Sequence, residues 1–494
     1  MKEKTFSPVA KRKSVTLWAE NSRVITRSYI PGPDHRTKNV VNKVLGLSDD
    51  EVKALLEQVL RDFSGRHRRF EDALEKNYLK IEHCVPNKDS ITKEMRLLLG
   101  SYFTCEYSVE AAALFNPSIV LHPDQKDLPE GSIRFIMSFR AIGEGHISSI
   151  EFCSGKIDSE GNIMFDPISN YVETPELQID KTYNKHHFSL ELSEMGVTDE
   201  GTSQVLGGLG DKFTVELLQE KIAEIQSAPG SDPNHESFAI DMAMWLARSN
   251  YEIKFQGDHR ISERVIFPTS ENERKGIEDA RFVRFTDGDD VRYYATYTAY
   301  DGFVILPQII MTKDFITFKI STLNGKAIQN KGMALFPRKI GDKYVMLSRQ
   351  DGENNHIMFS ENVYFWQESE IFQTPTRPWE FIQIGNCGSP IETTEGWLLL
   401  THGVGAMRKY GIGIELLDLD DPTRVIGRLD EPILVPTDGE REGYVPNVVY
   451  SCGALIHNDE LIIPYAIADQ RTSIATFSVP EILSLMSCSN SDSI

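Results

Sequence analysis

The chain has 494 residues, of which 40% are hydrophobic and 25% are charged, and its formal net charge is −21. A chain of this length exceeds the size at which one hydrophobic core usually stops growing, so we expect a large repeat domain with a smaller addition. The acidic balance argues against a nucleic-acid partner, because binding to DNA or RNA phosphates needs a basic face. No apolar run approaches the roughly 18 residues of a membrane-spanning helix, so no membrane partner is expected.

The N-terminus and the cysteines bear on location and cofactors. The first residues are basic but lack the apolar segment and cleavage site of a secretory signal, so a cytoplasmic protein is expected. The six cysteines are scattered without CxxC pairs, which predicts reduced thiols and no structural zinc site. We therefore predict neither a metal nor an organic cofactor.

Residues 1–110 are predicted to form an N-terminal extension and a helical region. The segment 48–51 has the form of a capping box, and apolar residues then recur at helical spacing up to Phe63. Further helices are predicted over residues 71–79, 92–99 and 109–114. Their apolar faces need a partner surface, and the β-rich segment that follows is the natural one.

From residue 111 to 486 the sequence changes to short β-rich runs separated by Gly, Pro, Asp and Asn, which is typical of an all-β repeat. Five runs share one plan, in which a polar turn precedes hydrophobic β residues and a polar residue ends the run: 134–141, 292–300, 343–349, 396–402 and 460–469. Apart from the first interval, successive runs are about 50 to 65 residues apart, a length that fits four-stranded propeller blades. The sequence therefore predicts an all-β five-bladed β-propeller.

The long first interval between runs predicts a helical insertion at about residues 193–250. Two helices are expected there, near 212–225 and 237–248, on either side of a segment that contains Pro and Gly. The Ser-rich residues 487–494 are predicted to be a disordered tail. The predicted architecture is thus a propeller with an N-terminal helical region and a helical insertion.

The candidate site lies where the innermost strands of a propeller line its central channel. Five polar residues from different runs, or from the segments just before them, would meet at one end of this channel: Asn116, Asp279, Arg349, His402 and Asp469. The alternative role for each is a hydrogen bond between blades. Convergence of all five favours a binding site.

Two adjacent carboxylates, Glu278 and Asp279, precede Arg281 at the start of one predicted strand. Taken alone, they are as consistent with an ion pair at a strand end as with a catalytic group. Tyr410 and Tyr444 lie in predicted loops beside polar residues of the runs. They are candidates for stacking on a sugar ring, with packing between blades as the alternative.

Several motifs in a fixed order carry a resemblance to a known family. They are GIEDAR at 276–281, LFPRKI at 335–340, GWLLLTHGV at 396–404, LLDLDDP at 416–422, and VPN at 445–447 with AD at 468–469. Over about residues 116–483 the chain resembles glycoside hydrolase family 130. The resemblance implies a five-bladed propeller that acts on β-linked mannosides. Most such enzymes are inverting phosphorylases with inorganic phosphate as co-substrate, and a minority are inverting hydrolases.

The resemblance also implies roles for particular residues. Asp279 matches the general acid, which in the family is thought to protonate the glycosidic oxygen through a hydroxyl of the mannosyl residue. Lys331 and Arg349 match basic phosphate-binding positions, with His402 as a third contact. Substrate-binding roles are implied for Asn116, Arg140, Glu278, Gln383, Tyr410 and Asp469. Gln383 stands where many family phosphorylases carry a basic residue, and it adds hydrogen-bond donors but no charge.

Phosphorolysis and hydrolysis demand different partners for the acid. Phosphate needs cations to hold it, whereas water needs a carboxylate base about 6.5 to 9.5 Å from the acid. The two cations favour a phosphorylase that forms α-mannose 1-phosphate. An inverting β-1,2-mannosidase, with Glu144, Glu440 or Glu442 as base, and a non-catalytic sugar-binding propeller are the alternatives.

The helical additions resemble those of the larger family members, including enzymes that act on β-1,2-linked oligomannosides. We therefore favour a β-1,2-linked oligosaccharide as substrate over a β-1,4-linked one. Such additions often shape either the acceptor side of a site or an oligomer interface, and the sequence leaves both open, including a homo-oligomer.

Overall fold

The computed structural model describes residues 9–178, 182–227, 233–300, 302 and 305–489. Most of its elements are antiparallel β-strands. Helices lie in the N-terminal region, in an insertion and at the C-terminal end. The prediction of a mostly β fold with added helices is therefore confirmed.

The N-terminal region contains strands as well as the predicted helices. Its elements are β1 (Lys11–Leu17), β2 (Val24–Ser28), α1 (Asp34–Leu45), α2 (Asp49–Phe63), α3 (Phe70–Ile81), α4 (Lys93–Tyr102) and β3 (Thr104–Ser108). Helix α2 begins at the predicted capping box, in which the backbone amide of Glu51 donates to Ser48 Oγ and the amide of Ser48 donates to the Glu51 carboxylate.

Two features of this region differ from the prediction. The helix predicted over residues 109–114 does not form, because Ala113 and Leu114 pair with Ile142 and Ala141 of a neighbouring strand. Tertiary pairing thus overrides the helix propensity of this alanine-rich segment. Strand β1, which pairs antiparallel with the last strand of the chain, was not predicted.

The strands after β3, apart from those of the insertion, form five antiparallel groups. The first contains β4 (Ala113–Leu121), β5 (Ile133–Ile142), β6 (Ser148–Ile157) and β7 (Ile163–Phe165). After the insertion, the second contains β13 (Gly276–Asp287), β14 (Asp290–Tyr300), β15 (Ile305–Thr312) and β16 (Thr317–Thr322). These two groups share one hydrogen-bonded sheet, but β6 and β13 meet only at a parallel pair of Ser148 with Gly276.

The other three groups follow along the chain. The third contains β17 (Lys331–Leu335), β18 (Tyr344–Arg349), β19 (Asn355–Ser360) and β20 (Glu370–Gln373). The fourth contains β21 (Gln383–Asn386), β22 (Ile391–Glu392), β23 (Trp397–Val404), β24 (Tyr410–Leu417) and β25 (Val425–Arg428). The fifth contains β26 (Val449–Tyr450), β27 (Leu455–His457), β28 (Glu460–Ile467) and β29 (Arg471–Ser478), with β1 at its edge. All five runs predicted from the sequence form strands, namely β5, β14, β18, β23 and β28.

Consecutive groups pack against one another through separate hydrophobic cores. Phe152 and Phe282 share the core of groups one and two, Met346 belongs to that of groups two and three, and Trp397 to that of groups three and four. Groups four and five share the cluster that contains Tyr465. A further cluster joins group five back to group one, where β28 and β29 contact β4.

The insertion between groups one and two is larger than predicted. It contains β8 (Glu176–Gln178), β9 (Tyr183–Asn184), α5 (Lys185–Glu194), α6 (Asp199–Leu206), β10 (Lys212–Phe213), α7 (Val215–Ser227), α8 (Pro233–Ser249), β11 (Tyr251–Lys254) and β12 (Val265–Ile266). Helices α7 and α8 match the two predicted helices. Helix α5 starts before residue 193, because Phe188 and Leu192 belong to the insertion's own buried core.

The C-terminal end also differs from the prediction. Helix α9 (Val479–Ser489) extends into the segment 487–494 that was predicted to be disordered, because Ile482 and Met486 pack into the core of the fourth and fifth groups. Residues 490–494 lie outside the described residues. No helix within the described ranges is long and apolar enough to cross a bilayer.

Candidate active site

A cavity of about 160 Å³ receives side chains from all five strand groups. Of the ten residues to which the resemblance assigns catalytic, phosphate-binding or substrate-binding roles, seven line it, namely Asn116, Arg140, Asp279, Lys331, Arg349, Tyr410 and Asp469. The other three, Glu278, Gln383 and His402, do not line it. The structure thus brings together residues that lie more than 300 positions apart in the chain.

Backbone bulges aim two of these side chains into the cavity. The pairing of β4 with β5 is interrupted between Phe115 and Ser118, and that of β13 with β14 between Glu278 and Arg281. Asn116 (φ 48°) and Asp279 (φ 54°) have left-handed backbone conformations inside these bulges. Such conformations are costly for most residues and less so for Asn and Asp, and bulges of this kind often redirect a side chain beside an active site.

Asp279 lies among donors and cations. Its Oδ1 accepts a hydrogen bond of 2.6 Å from Asn116 Nδ2 and lies 3.5 Å from Arg140 Nη1. Burial raises the pKa of Asp279. The charge of Arg140, the hydrogen bond from Asn116 and the charges of Lys331 and Arg281 together lower the pKa by more, so it lies below its usual value. The carboxylate is therefore ionised at neutral pH.

Glu278 does not line the cavity but pairs with a cation that does. Its Oε1 accepts a hydrogen bond of 2.7 Å from Arg140 Nη2. The guanidinium of Arg140 therefore bridges the two adjacent carboxylates, Glu278 and Asp279, and its carbon lies 5.4 Å from the centre of the Phe115 ring. The contact of Glu278 is thus with Arg140 of the first strand group, not with Arg281 of its own strand.

Asp469 is the second carboxylate that lines the cavity. It has a left-handed backbone (φ 51°) in the turn between β28 and β29. Burial, together with the nearby charge of Asp279, raises the pKa of Asp469 to about 6. The two lining carboxylates therefore have pKa values displaced in opposite directions, that of Asp279 downward and that of Asp469 upward.

Lys331 and Arg349 lie opposite each other on neighbouring strands. They pair across β17 and β18, next to a bulge that ends at Ala334. Gly332 (φ 84°) forms the bulge, and a Cβ there would lie 3.2 Å from Arg349 Cβ. Both cations line the cavity together with Asp279. This pair gives one wall of the cavity the charge that an anion requires.

His402 is buried and holds Arg349 from behind. Its Nδ1 lies 3.1 Å from the carbonyl oxygen of Asn386, so Nδ1 carries the proton and donates there. Nε2 then accepts from Arg349 Nη1 at 3.1 Å. Burial and the guanidinium groups of Arg349 and Arg281 hold the pKa of His402 well below its usual value. A neutral imidazole with both nitrogens engaged orients Arg349.

Gln383 and Tyr410 belong to the fourth strand group. Gln383 begins β21, and its Nε2 is buried without a hydrogen-bond partner among the described residues. Tyr410 lines the cavity, and its ring lies nearly parallel to that of His402, with centroids 6.1 Å apart. The buried Nε2 of Gln383 is costly to leave without a partner unless a ligand or a water molecule accepts its hydrogen bond.

Several residues at this site had no role assigned from the sequence. Arg408 lines the cavity from a left-handed turn (φ 53°) after β23. Arg281 Nη2 donates 2.6 Å to Tyr450 Oη, and both residues line the cavity. The basic residue in the turn that follows the predicted run 396–402 was a signal for Arg408. Tyr450 gave none, because an isolated tyrosine in a strand is usually a core residue.

The carboxylates proposed as bases for hydrolysis are not among the residues that line the cavity. The Glu440 carboxylate accepts from Tyr465 Oη at 2.6 Å and from Thr437. Glu144 and Glu442 do not contribute to the lining either. Asp469 is the carboxylate besides Asp279 that the described residues contribute to the cavity.

The chain is similar in sequence to known mannoside phosphorylases. The sequence profile of glycoside hydrolase family 130, described as beta-1,4-mannooligosaccharide phosphorylase, matches residues 235–488. The chain is 35% identical over 247 residues to a 1,2-beta-oligomannan phosphorylase of Thermoanaerobacter sp. (strain X514), a match that covers 48% of this chain and 81% of that protein. It is 28% identical over 370 residues to a beta-1,2-mannobiose phosphorylase of Listeria innocua, covering 70% and 94% of the two chains. The profile match covers about half of the chain, and the chain belongs to glycoside hydrolase family 130.

Proposed function

We propose that the chain is an inverting phosphorylase of β-1,2-linked manno-oligosaccharides, with inorganic phosphate as nucleophile and α-mannose 1-phosphate as product. The names of the relatives support the substrate class and the reaction. The observation that carries the proposal is the pair of cations, Lys331 and Arg349, on the wall of a cavity that also contains Asp279.

The charge balance of the cavity supports an anionic co-substrate. Its lining contains five cations and two carboxylates, although the chain as a whole is strongly acidic: Arg140, Arg281, Lys331, Arg349 and Arg408 against Asp279 and Asp469. A local excess of positive charge in a partly desolvated site attracts an anion and holds it against its own charge. Inorganic phosphate is the anion that the reaction requires.

The proposed reaction breaks one bond and forms another at the same carbon. A phosphate oxygen attacks C1 of the terminal mannosyl unit from the face opposite the leaving sugar. The C1–O bond to that sugar breaks, and its electron pair stays on the glycosidic oxygen, which takes the proton that Asp279 supplies through a mannosyl hydroxyl. Attack from the opposite face inverts the β-linkage to an α-phosphate.

Phosphate also affects the acid itself. Cations, including Lys331, lower the pKa of Asp279 and favour its ionised form. A bound phosphate would neutralise Lys331 and Arg349 and place negative charge nearby, which raises the pKa of Asp279. We therefore propose that phosphate binding prepares the acid by favouring its protonated form.

We also propose that the five strand groups are the blades of a five-bladed propeller around this cavity. The support is their number, the separate core between each pair of consecutive groups, and the contacts of the fifth group with the first. Strand β1 would then join the two ends of the chain in the last blade. The cytoplasmic location and a homo-oligomer stay predictions.

The experiment is to incubate the purified protein with β-1,2-mannobiose in the presence and absence of phosphate and to identify the products. Phosphate-dependent formation of mannose 1-phosphate supports the proposal. Release of free mannose at the same rate in both conditions would instead establish a hydrolase. Binding of the disaccharide without turnover would establish a sugar-binding protein.

A further inference from the structure

Asn386, the last residue of β21, lies where the second, third and fourth strand groups meet, in contact with Arg281, Gly332 and His402. Its side chain is buried, with 1% of its surface exposed, and it does not line the cavity. Every polar atom of its amide side chain and its carbonyl oxygen has a partner within the protein. The residue therefore has no free group for a ligand.

The side-chain amide of Asn386 joins the second and third groups. Its Oδ1 accepts from Arg281 Nη1 and, at 3.2 Å, from the backbone amide of Gly388. Its Nδ2 donates 2.8 Å to the carbonyl oxygen of Gly332. Gly332 directly follows Lys331 and forms the bulge at which β17 pairs with Arg349. The amide thus fixes the backbone that carries Lys331.

The carbonyl oxygen of Asn386 reaches the other cation through His402. It accepts from His402 Nδ1 at 3.1 Å and from Arg281 Nη1 at 3.3 Å. The proton on Nδ1 leaves Nε2 free to accept from Arg349 Nη1. One residue is therefore connected to Lys331 by one path and to Arg349 by another.

We propose that Asn386 is a positioning residue that sets the spacing of Lys331 and Arg349 and thereby the affinity for phosphate. The proposal rests on the phosphorylase function proposed above. A bound phosphate must contact both cations at once, so a small displacement of one cation weakens phosphate binding. The mannosyl contacts implied for Asn116 and Arg140 do not pass through Asn386, so we expect the KM for the mannoside to change little.

The test compares Asn386→Asp with Asn250→Asp. Aspartate keeps the acceptor for Arg281 but places a carboxylate oxygen against the carbonyl of Gly332, where the amide donated. Asn250 is a matched control: it is buried in the insertion, its Nδ2 donates 2.9 Å to the Leu246 carbonyl, and it is not part of the cavity. Asn386→Ser is a second, uncharged variant that keeps the test possible if Asn386→Asp does not fold.

The readouts are initial rates of β-1,2-mannobiose phosphorolysis with each substrate varied in turn, and binding of inorganic phosphate measured by titration calorimetry. We expect the KM and Kd for phosphate to rise by about tenfold to a hundredfold in both Asn386 variants. The KM for mannobiose should change by less than about twofold, and Asn250→Asp should change neither constant.

Two results would overturn the inference. One is an unchanged phosphate Kd in folded Asn386 variants, and the other is an equal rise of the KM for both substrates, which is the mark of a general structural role. The proposed function fails separately, since a wild-type protein without phosphate-dependent turnover would contradict it whatever the Asn386 variants do.

Discussion

The role of Asp279 as acid predicts a loss of activity that depends on the leaving group. Both polar contacts of its carboxylate, with Asn116 and Arg140, are made by Oδ1. In Asp279→Asn the amide oxygen can keep this position, and Glu278 still pairs with Arg140 at 2.7 Å. The substitution therefore removes the acid while the surrounding contacts remain, and we expect the fold to be unchanged.

The size of the loss follows from what an acid contributes. General acid catalysis is worth roughly 10²- to 10⁴-fold, or about 3 to 5 kcal/mol of the barrier. A sugar alkoxide needs the full contribution because it leaves poorly without a proton. A 4-nitrophenolate leaves as a stable anion, so the loss on 4-nitrophenyl β-mannoside should be at least about tenfold smaller.

The assay measures phosphate-dependent kcat/KM for β-1,2-mannobiose and for 4-nitrophenyl β-mannoside in both proteins. Glu278→Gln is the control, because it changes the adjacent carboxylate that acts on Arg140 and does not line the cavity. Its loss should be similar for both substrates. Equal losses of Asp279→Asn on both substrates, or unchanged turnover of mannobiose, would refute the assignment of Asp279 as acid.

Three further predictions concern the proposed phosphate site around Lys331 and Arg349, and the second carboxylate, Asp469. Arg349→Gln removes charge-assisted hydrogen bonds worth about 1.5 to 3 kcal/mol, so steady-state rates should show a KM for phosphate higher by roughly 10- to 150-fold, with the KM for mannobiose nearly unchanged. Gly332→Ala places a Cβ 3.2 Å from Arg349 Cβ at a backbone φ of 84° and should also raise the KM for phosphate. The control is Gly341→Ala, where φ is 59° and a Cβ would have no neighbour within 4 Å; it should only lower the melting temperature. Asp469 has a folded-state pKa of about 6, above the ordinary 3.8, so between these pH values the folded state binds more protons than the unfolded state and the free energy of unfolding falls as pH rises. In urea unfolding, the wild type should lose up to about 3 kcal/mol of unfolding free energy between pH 4 and 7. The variant Asp469→Asn should lack this loss.

Local signals in the sequence account for the elements that were predicted correctly. The capping box before α2 is a set of hydrogen bonds within four residues, and the five strand runs carry their own turns and apolar residues. The convergence of Asn116, Asp279, Arg349 and Asp469 followed from their equivalent places in a repeat. Features of this kind depend on near neighbours in the chain, so the sequence displays them directly.

The features that were missed depend on distant partners. Strand β1 has an exposed, charged sequence, and it is a strand because Arg12 pairs with Ala475 at the far end of the chain. Asn386 lies in a short polar segment that resembles a loop, and only the folded chain places Arg281, Gly332 and His402 around it. Tertiary contacts of this kind have no local signature.

The stereochemistry of the product tests the central claim most directly. The wild-type protein, β-1,2-mannobiose and inorganic phosphate are combined, and the reaction is followed by ³¹P and ¹H NMR. The phosphorylase mechanism predicts that α-mannose 1-phosphate and mannose accumulate in equal amounts and that nothing forms without phosphate. A β-phosphate, or free mannose with no phosphate ester, would contradict inverting attack by phosphate.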